Sequence, residues 1–507
     1  MTSTEEGSIQ TVEEEPPKNI YDRVNQKLAS ARYSEDHQAE RYREEEVRLY
    51  GGFRSPTIST IVSGIGFFSE AYDLYVVNVL SELWKKEYST YFSQNSGMIS
   101  RIGNSAIVGA IVGQLFFGLI GDRVGRKAGL LVTSFILFLG PVLSSVSFGA
   151  NGSVNGLFWM LVVVRGFLGV GIGGEYPCAS VSAAEAGDDA KVKRGKTVLF
   201  VFSMQGVGQV VGIVVAIIAL LFTKSNFHVD NTSGFHAVWR FVLAFGALPI
   251  IPVFVLRTRM RDSLRFRIAG YKHRKVPMLV TFRYYWLRLV GTAGCWFLND
   301  IVQYSNGIFS SEIITGVVAG SDKTVLDIAM FTLLVAILTL PGYYVAALTV
   351  DKIGHKRLQI IGFTCVGLCG ILIGGLINQL ENQPGAFILM YGIFLFFVQF
   401  GSNTTTFLLA AELYSTPVRT TCAGISAAVG KAGAAIGTQF LGPIEHAFSG
   451  NNGVRAVFII AGGISLLGAL LTWWVIPEPN KRTLEDEDFS FAEYCIRHGV
   501  DAKLFSS

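Results

Sequence analysis

The sequence predicts an all-α polytopic membrane protein with twelve transmembrane helices arranged as two six-helix halves. Of its 507 residues, 50% are hydrophobic and only 16% are charged, and the mean hydropathy is +0.43, a composition typical of membrane-embedded chains. Each apolar run is long enough for the ~20 residues that a helix needs to cross a bilayer. The runs begin near residues 56, 100, 128, 156, 197, 237, 286, 326, 358, 386, 421 and 454.

A charged loop motif occurs at the same place in each half. Residues 121–127 read GDRVGRK after the second apolar run, and residues 351–357 read DKIGHKR after the eighth. One such turn is common, but two at matching positions predict two halves of similar fold with a site between them. We expect four charged residues of these motifs to act in gating: Asp122, Arg126, Lys127 and Asp351.

The charge of the loops predicts the orientation of the chain. Lysine and arginine cluster in alternate loops, including 121–127, 191–196, 257–275 and 351–357, and the intervening loops hold few. By the positive-inside rule the basic loops are cytoplasmic, so an even number of helices places both termini in the cytoplasm of a multi-pass plasma-membrane protein. The Arg-rich segment adjoins the membrane, and we therefore expect it to meet the lipid bilayer and not nucleic acid.

These observations divide the chain into five parts. We expect a cytoplasmic N-terminal tail over 1–55, a first six-helix half over 56–256, a cytoplasmic linker over 257–285, a second six-helix half over 286–476 and a cytoplasmic tail over 477–507. Asn231 begins a glycosylation sequon in a predicted outer loop, which agrees with this topology.

The first predicted helix carries two carboxylates inside the membrane. Glu70 and Asp73 are three residues apart, which places them on one face of a helix. Two carboxylates at this spacing do not both stay ionised at low cost in a medium of low dielectric constant, so the pair favours reversible protonation. The alternative is a pair near the helix end that faces outer water.

The fourth predicted helix combines charge with close packing. It carries Arg165, Glu175 and Tyr176, with glycines at 166, 169, 171, 173 and 174. The glycines allow another helix to approach closely, and a charge at this depth costs at least ~2.5–3.5 kcal/mol on insertion scales. We interpret the segment as part of a polar pathway through the membrane, and helix packing alone is the alternative.

The seventh predicted helix carries Trp296, Asp300 and Tyr304 at intervals of four residues, hence along one stripe. The indole and the phenol can donate hydrogen bonds to phosphate oxygens. Asp300 can donate only when it is protonated, which would tie substrate binding to proton binding. Core packing is the alternative for the two aromatic residues.

Two later helices supply further polar groups. Asn403 lies in the tenth predicted helix, and Lys431 lies well inside the eleventh. Because a buried lysine needs a partner, Lys431 can offer a point charge to an anionic substrate or pair with a carboxylate when the site is empty. The alternative is a side chain that extends to the membrane interface.

These motifs resemble those of a known family. The 121–127 motif and its echo are similar to the inter-helix motif of the major facilitator superfamily, Arg165 and the glycines after it to the fourth-helix motif, and the segment 477–479 to the sugar-porter tail. The block GVGIGGEYP over 169–177, followed by Gln205, resembles the phosphate:proton symporter branch and its relatives, the fungal glycerophosphodiester permeases.

The resemblance implies a major facilitator fold and transport without a cofactor, a metal or an enzymatic step, in a chain that functions as a monomer. It implies a binding site for a small phosphate-bearing solute at seven matching positions: Tyr176, Gln205, Trp296, Asp300, Tyr304, Asn403 and Lys431. It implies proton coupling and gating at further positions: Glu70, Asp73, Glu175 and Asp300 for protons, and Arg165 with the loop motifs for gating. Glu70 and Glu175 stand where the symporters commonly carry aspartate.

The expected function is proton-coupled import of a glycerophosphodiester, such as glycerophosphocholine or glycerophosphoinositol, by alternating access. Residues 306–311 resemble the glycerophosphodiester permeases, whereas residues 401–433 are closer to phosphate symporters, so an inorganic phosphate:proton symporter is the alternative. If the alcohol group is choline, Trp296, Tyr72 or Tyr75 can supply a cation–π face. A nutrient receptor with little transport would need longer cytoplasmic tails than those predicted.

Overall fold

The computed structural model describes residues 56–189, 194–223, 234–260, 276–308, 324–380, 382–448, 452–479 and 483–501, with the isolated residues Asp262, Phe266 and Leu504. The predicted N-terminal tail over 1–55 and the Asn231 sequon lie outside these residues, as do parts of the linker and of the C-terminal tail.

Six helical segments form the first half. They are α1 Pro56–Glu87, α2 Met98–Arg123, α3 Arg126–Ser145, α4 Val154–Asp189, α5 Arg194–Thr223 and α6, which consists of Phe235–Phe245 and Ile250–Arg259. A short helix, Ser89–Gln94, precedes α2, and a 3-10 turn, Ala150–Gly152, precedes α4.

Six further segments form the second half, and one more helix follows them. They are α7 Met278–Ile308, α8 Val325–Ile353, α9 His355–Leu380, α10 Pro384–Glu412, α11 Arg419–Ala447, α12 Asn452–Val475 and α13 Leu484–Arg497. Within α10, a π-helical turn over Val398–Asn403 separates Pro384–Phe397 from Thr404–Glu412.

The predicted fold class is confirmed. In the described part of the chain, nine of these segments are long and apolar enough to span a membrane. The helices α1, α7 and α11, with 32, 31 and 29 residues, also exceed the ~20 residues that a crossing requires. The described residues therefore contain the twelve spanning segments that the sequence predicts, and no strand.

The linker between the halves is shorter than the sequence indicates. Helix α6 continues to Arg259 and α7 begins at Met278, so helix occupies both ends of the 257–285 segment that we assigned to the linker. Charged residues sit in the last turn of α6, where Arg257 and Arg259 lie near exposed helix carbonyls, and cations are stabilised at that end of a helix.

Glycines bring α2 and α4 into backbone contact, as the sequence predicts. A Cβ atom on Gly169 would collide with the carbonyl of Ala106, and one on Gly173 would collide with the carbonyl of Ala110. Because only glycine fits at these positions, the two helices lie closer than larger side chains would permit.

The outer surface is apolar and the interior is polar. Large hydrophobic side chains such as Phe222, Leu279 and Trp474 are 84%, 82% and 81% exposed, as expected for a lipid-facing surface. The charged side chains of the spanning segments that the sequence singled out, including Asp300 and Lys431, are buried inside the bundle.

The two loop motifs lie at the same end of the bundle, which we call the motif end. Helices α1, α3, α5, α7, α9 and α11 start there, and α10 runs toward it. The two halves meet along α2 with α11 and along α5 with α8. A Cβ atom on Gly424 of α11 would collide with the Gln114 carbonyl of α2, so the first of these interfaces is a close backbone contact.

Candidate functional site

Lys431 of α11 and Asp300 of α7 form an ion pair inside the bundle. Lys431 Nζ lies 3.1 Å from Asp300 Oδ2, and the two side chains are 2% and 1% exposed. The ammonium also lies over the rings of Tyr176 and Tyr304, 4.5 and 4.3 Å from their centres. These contacts place Lys431 in the interior and exclude the alternative in which it reaches the membrane interface.

Tyr176 connects the ion pair to the first half. Its hydroxyl donates to Glu70 Oε1 at 2.5 Å, and Gln205 Nε2 donates to the Tyr176 hydroxyl oxygen at 3.4 Å. Tyr343 of α8 donates to Gln205 Oε1 at 3.3 Å, which joins the two halves. Glu70, Tyr176 and Gln205 are thus brought together with Lys431.

A row of side-chain amides extends from the ion pair. Asn299 Nδ2 donates to Asp300 Oδ1 at 3.1 Å and to Asn403 Oδ1 at 3.2 Å. Asn403 Nδ2 donates to Gln399 Oε1 at 2.7 Å, and Gln399 Nε2 donates to Gln303 Oε1 at 3.0 Å. We call Asn299, Asn403, Gln399 and Gln303 the amide row.

The amide row ends on the first half. Gln303 Nε2 donates to the hydroxyl of Tyr75 in α1 at 2.9 Å. The π-helical turn of α10 carries both Gln399 and Asn403, and such turns occur frequently at functional sites. Like Tyr176, Gln205 and Tyr343, the row therefore connects the two halves.

Three members of the row were missed by the sequence analysis. Only Asn403 was predicted, although Asn299 and Gln303 directly precede Asp300 and Tyr304. A signal was available, because an amide inside an apolar span must find a hydrogen-bond partner. Asn299 and Gln303 lie beside the stripe of Trp296, Asp300 and Tyr304, so the four-residue spacing does not include them.

Trp296 lies beside the ion pair through a close contact with α11. A Cβ atom on Gly430 would lie 2.5 Å from Trp296 Cδ1, so glycine is required next to Lys431. The indole ring is 5.8 Å from the ring of Tyr176, centre to centre. Trp296, Asp300 and Tyr304 all face the same group of side chains, which agrees with the predicted stripe.

Three phenylalanines close the site toward the motif end. The ring centres of Phe67 and Phe202 are 5.5 Å apart, those of Phe67 and Phe407 5.1 Å, and those of Phe202 and Phe407 4.4 Å. Each lies about one helical turn closer to the motif end than a polar residue of the site in the same helix. The cluster separates the polar groups from that end with apolar surface.

Asp73 has different neighbours from Glu70. Its backbone carbonyl accepts a hydrogen bond from Arg165 Nη2 at 2.9 Å, and a Cβ atom on Gly246 of α6 would lie 2.7 Å from its Oδ1. Neither carboxylate oxygen of Asp73 has a hydrogen-bond partner among the described residues, and the same holds for Nε and Nη1 of Arg165. Both carboxylates are fully buried, so they do not form a pair that faces outer water.

Glu175 pairs with Arg257, a residue of the segment that the sequence analysis predicts as the linker. Arg257 of α6 donates from Nη1 to Glu175 Oε1 at 2.6 Å and from Nη2 to Oε2 at 2.8 Å. The hydroxyl of Thr133 also donates to Glu175, and Ser134 Oγ accepts from Arg257 Nη1 at 2.7 Å. Glu175 is therefore engaged in α3, α4 and α6, away from the amide row.

The first loop motif binds the second half at the motif end. Asp122 accepts hydrogen bonds from the backbone N–H groups of residues 420 and 421, at 3.1 and 2.7 Å. Glu185 of α4 bridges two arginines, with 3.0 Å to Arg126 and 2.9 Å to Arg419 of α11. Glu185 and Arg419 were missed, because nothing in the chain marks two residues so far apart as partners.

The second loop motif lies against the first half at the same end of the bundle. Asp351 accepts from the backbone N–H of Lys196 in α5 at 3.1 Å, and Arg194 Nε lies 2.9 Å from Glu412 of α10. Lys127 differs from the other motif residues, because it donates to a carbonyl of α6 in its own half at 2.7 Å. These polar contacts hold the halves together at the motif end.

Comparisons with known proteins agree with this architecture. A family model described as "Sugar (and other) transporter" matches residues 58–280 and 274–491. The chain is 34% identical over 460 residues to glycerophosphoinositol permease 1 of Candida albicans, covering 90% of this chain and 85% of the permease. It is 32% identical to inorganic phosphate transporter 1-11 of Oryza sativa, covering 84% of this chain and 86% of that transporter.

A solved structure has the same fold. The proton:xylose symporter XylE of the major facilitator superfamily, from E. coli, superimposes with a TM-score of 0.69, covering 85% of this chain and 98% of that chain. At 20% identity the likeness concerns the fold alone.

Proposed function

The chain belongs to the sugar (and other) transporter family of the major facilitator superfamily, and from this premise we propose that it imports a glycerophosphodiester together with protons. It is a transporter and not an enzyme. The observation that carries the proposal is the buried pair of Lys431 and Asp300 with its phenol neighbours, supported by the 34% identity to a permease named for glycerophosphoinositol.

The ion pair allows an anion and a proton to bind together without a change in the net charge of the site. In the empty site the charges of Lys431 and Asp300 cancel. A phosphodiester carries one negative charge, so it can replace Asp300 as the anion beside Lys431 when a proton neutralises the carboxylate. The net charge of the pair is zero in both states, which avoids the large cost of an unpaired charge in the interior. Binding of the anion and of the proton are thereby coupled.

Two further carboxylates are placed to carry protons. Glu70 accepts a hydrogen bond from Tyr176, which lies under the Lys431 ammonium. Asp73 lies beside Arg165 with both carboxylate oxygens free of hydrogen bonds among the described residues. Glu175 can take part only if its pair with Arg257 opens.

The contacts at the motif end support transport by alternating access. The bridge from Arg126 through Glu185 to Arg419 connects the two halves, and it must break for the substrate to leave at that end. We propose that the motif end is cytoplasmic, which places both termini in the cytoplasm of a plasma-membrane protein, because the basic loops lie there. The pairs at the motif end then form the inner gate.

Inorganic phosphate is the second candidate substrate. The same cation, phenols and indole can bind free phosphate, and the identity to a rice inorganic phosphate transporter is 32%. The two candidates share the phosphate and differ in its two ester groups, which inorganic phosphate lacks, so they predict the same residues around the phosphate.

Uptake of labelled substrates tests the proposal. The full chain is expressed in cells that lack other carriers, and uptake of glycerophosphoinositol, glycerophosphocholine and inorganic phosphate is compared with and without a protonophore. We expect diester uptake that the protonophore abolishes. Preferred uptake of free phosphate would favour inorganic phosphate as the substrate. Uptake that is unaffected by the protonophore would contradict proton coupling.

A further inference from the structure

We propose that the amide row, together with Tyr75, binds the alcohol group of the phosphodiester and selects a hydroxyl-rich alcohol over a quaternary ammonium. This inference rests on the proposed function, because it concerns the part of the ligand that extends beyond the phosphate. Asn403 has its place in the expected phosphate site, and Asn299, Gln303 and Gln399 are the new members.

The row lies where the alcohol group must go. Helix α7 runs away from the motif end, so Gln303 lies three residues, or ~4.5 Å, beyond Asp300 in that direction. Helix α10 runs the opposite way, so Gln399 lies one turn beyond Asn403 on the same side. The phenylalanine cluster closes the other side of the ion pair. A group attached to a phosphate at Lys431 therefore meets the amide row. Glycerol is common to both diesters, so the second alcohol, which we assign to the row, decides between them.

Hydroxyl groups match the hydrogen-bonding capacity of this row. The amide nitrogens of Gln399 and Gln303 donate one hydrogen bond each, to Gln303 and to Tyr75, and each carries a second N–H. A hydroxyl both donates and accepts, so it can insert into the 3.0 Å bond between Gln399 Nε2 and Gln303 Oε1, accept from the first and donate to the second, and leave neither group unpaired. Tyr75 accepts from Gln303 and keeps its own proton to donate.

A quaternary ammonium does not fit the same surroundings. It has no N–H or O–H group, so it cannot replace a hydrogen bond of the row where it separates two amides. The separated amide groups would stay buried and unpaired, which costs free energy. The aromatic residues expected to receive it already have close neighbours. Tyr72 stacks on Phe245 at 6.0 Å, and the Trp296 ring packs against Gly430 and lies 5.8 Å from the ring of Tyr176. Tyr75 bonds to Gln303 of the row, and Lys431 covers the other two phenol rings of the site, those of Tyr176 and Tyr304.

The wild-type protein gives the first test. Purified full-length protein is titrated with glycerophosphoinositol, glycerophosphocholine and inorganic phosphate, and the apparent Kd of each is obtained from the thermal shift. We expect glycerophosphoinositol to bind at least ~10-fold more tightly than glycerophosphocholine, the discrimination that one or two unpaired amides produce. Equal or tighter binding of glycerophosphocholine overturns the inference.

Variants locate the discrimination in the row. Gln303→Leu and, separately, Tyr75→Phe remove hydrogen-bonding groups with little change of volume. Both should weaken glycerophosphoinositol by ~5–10-fold and leave the apparent Kd of inorganic phosphate within ~2-fold. Gln359→Leu is the matched control, because Gln359 is a buried amide of α9 outside the row; the ratio of the two diesters should not change there.

The outcomes separate the two proposals. If phosphate and both diesters lose affinity equally in Gln303→Leu and Tyr75→Phe, the row is structural and the inference is wrong, while the proposed function stands. If no phosphate-bearing ligand binds the wild-type protein, the proposed function fails and the inference fails with it.

Discussion

Gly66 of α1 lies directly against Glu175 of α4. A Cβ atom on Gly66 would collide with Glu175 Oε2 and would lie 2.7 Å from Nη2 of Arg257. Glycine at this position therefore makes room for a buried ion pair whose two members are both fully covered. The pair joins α4 to α6 next to α1.

Removing one member of this pair should destabilise the protein. Arg257→Leu leaves the Glu175 carboxylate buried without a charged partner, which costs ~3–5 kcal/mol in comparable pairs. We expect a lower Tm in detergent and less protein at the cell surface. The double variant Arg257→Leu with Glu175→Gln should recover much of the Tm, because it leaves no unpaired charge. An unchanged Tm in Arg257→Leu would show that the pair is not a stabilising contact.

Asp300→Asn should abolish proton-coupled uptake while the protein still reaches the surface. Asparagine cannot take up a proton when the anion binds, so the exchange at the pair is lost. Lys431 loses its charged partner in the empty state but keeps its contacts with the rings of Tyr176 and Tyr304. Uptake against a gradient is measured in cells, with surface biotinylation as the control for expression. Uptake at the wild-type rate would contradict the exchange at this pair.

Asp73→Asn should weaken the proton-driven accumulation of substrate while the exchange of substrate across the membrane continues. If Asp73 carries a proton beside Arg165, wild-type uptake rises as the external pH falls, because the proton is a co-substrate. The variant should show uptake that depends less steeply on external pH than in the wild type, because Asp300 still takes up its proton, and it should still exchange labelled for unlabelled substrate across the membrane. A pH profile that matches the wild type would remove Asp73 from the coupling scheme.

Glu185→Gln should loosen the motif end. The variant weakens the bridge between Arg126 and Arg419, so the halves should separate there more often. Cys422 near the start of α11 is fully buried and reports on this opening. In a variant with the other five cysteines replaced by alanine, a membrane-permeant maleimide should label Cys422 several-fold faster when Glu185 is changed.

A control at a neutral position completes that experiment. Ser490→Ala in α13 changes an exposed hydroxyl that bonds within its own helix, and it should not alter the labelling rate. Equal labelling of Cys422 with and without Glu185→Gln would indicate that the bridge does not limit opening.

The C-terminal helix α13 should contribute to the stability of the second half. Asp488 accepts hydrogen bonds from the Ser415 hydroxyl at 2.8 Å and from the backbone N–H of Thr416 at 2.6 Å. Asp488→Asn should cost roughly 1–3 kcal/mol, measured as a lower Tm. Glu493→Gln is the matched control, because its exposed pair with Arg497 is of a kind that contributes little; an equal effect of the two changes would contradict the assignment.

The sequence predicted the fold because its signals are local. Apolar runs of sufficient length, basic loops and a repeated motif are read along the chain, and eleven of the twelve helices begin within three residues of the predicted runs. The exception is α7, whose first turns are amphipathic and carry Arg283 and Arg288, so hydropathy alone places its start too late.

Residues within one helix were also accessible from sequence. Trp296, Asp300 and Tyr304 share a stripe because the helical repeat is fixed. Glu70 and Asp73 follow the same rule, yet their neighbours differ, since one meets Tyr176 and the other meets Arg165.

What the tertiary structure alone decided is the choice of partners. Asp300 and Lys431 are 131 positions apart, and Glu175 and Arg257 are 82 apart. The sequence predicts that a carboxylate in an apolar helix needs a partner. The identity of that partner depends on how the helices pack. That packing is set by glycine contacts between helices distant in the chain, and it converts isolated polar residues into one connected amide and ion-pair network.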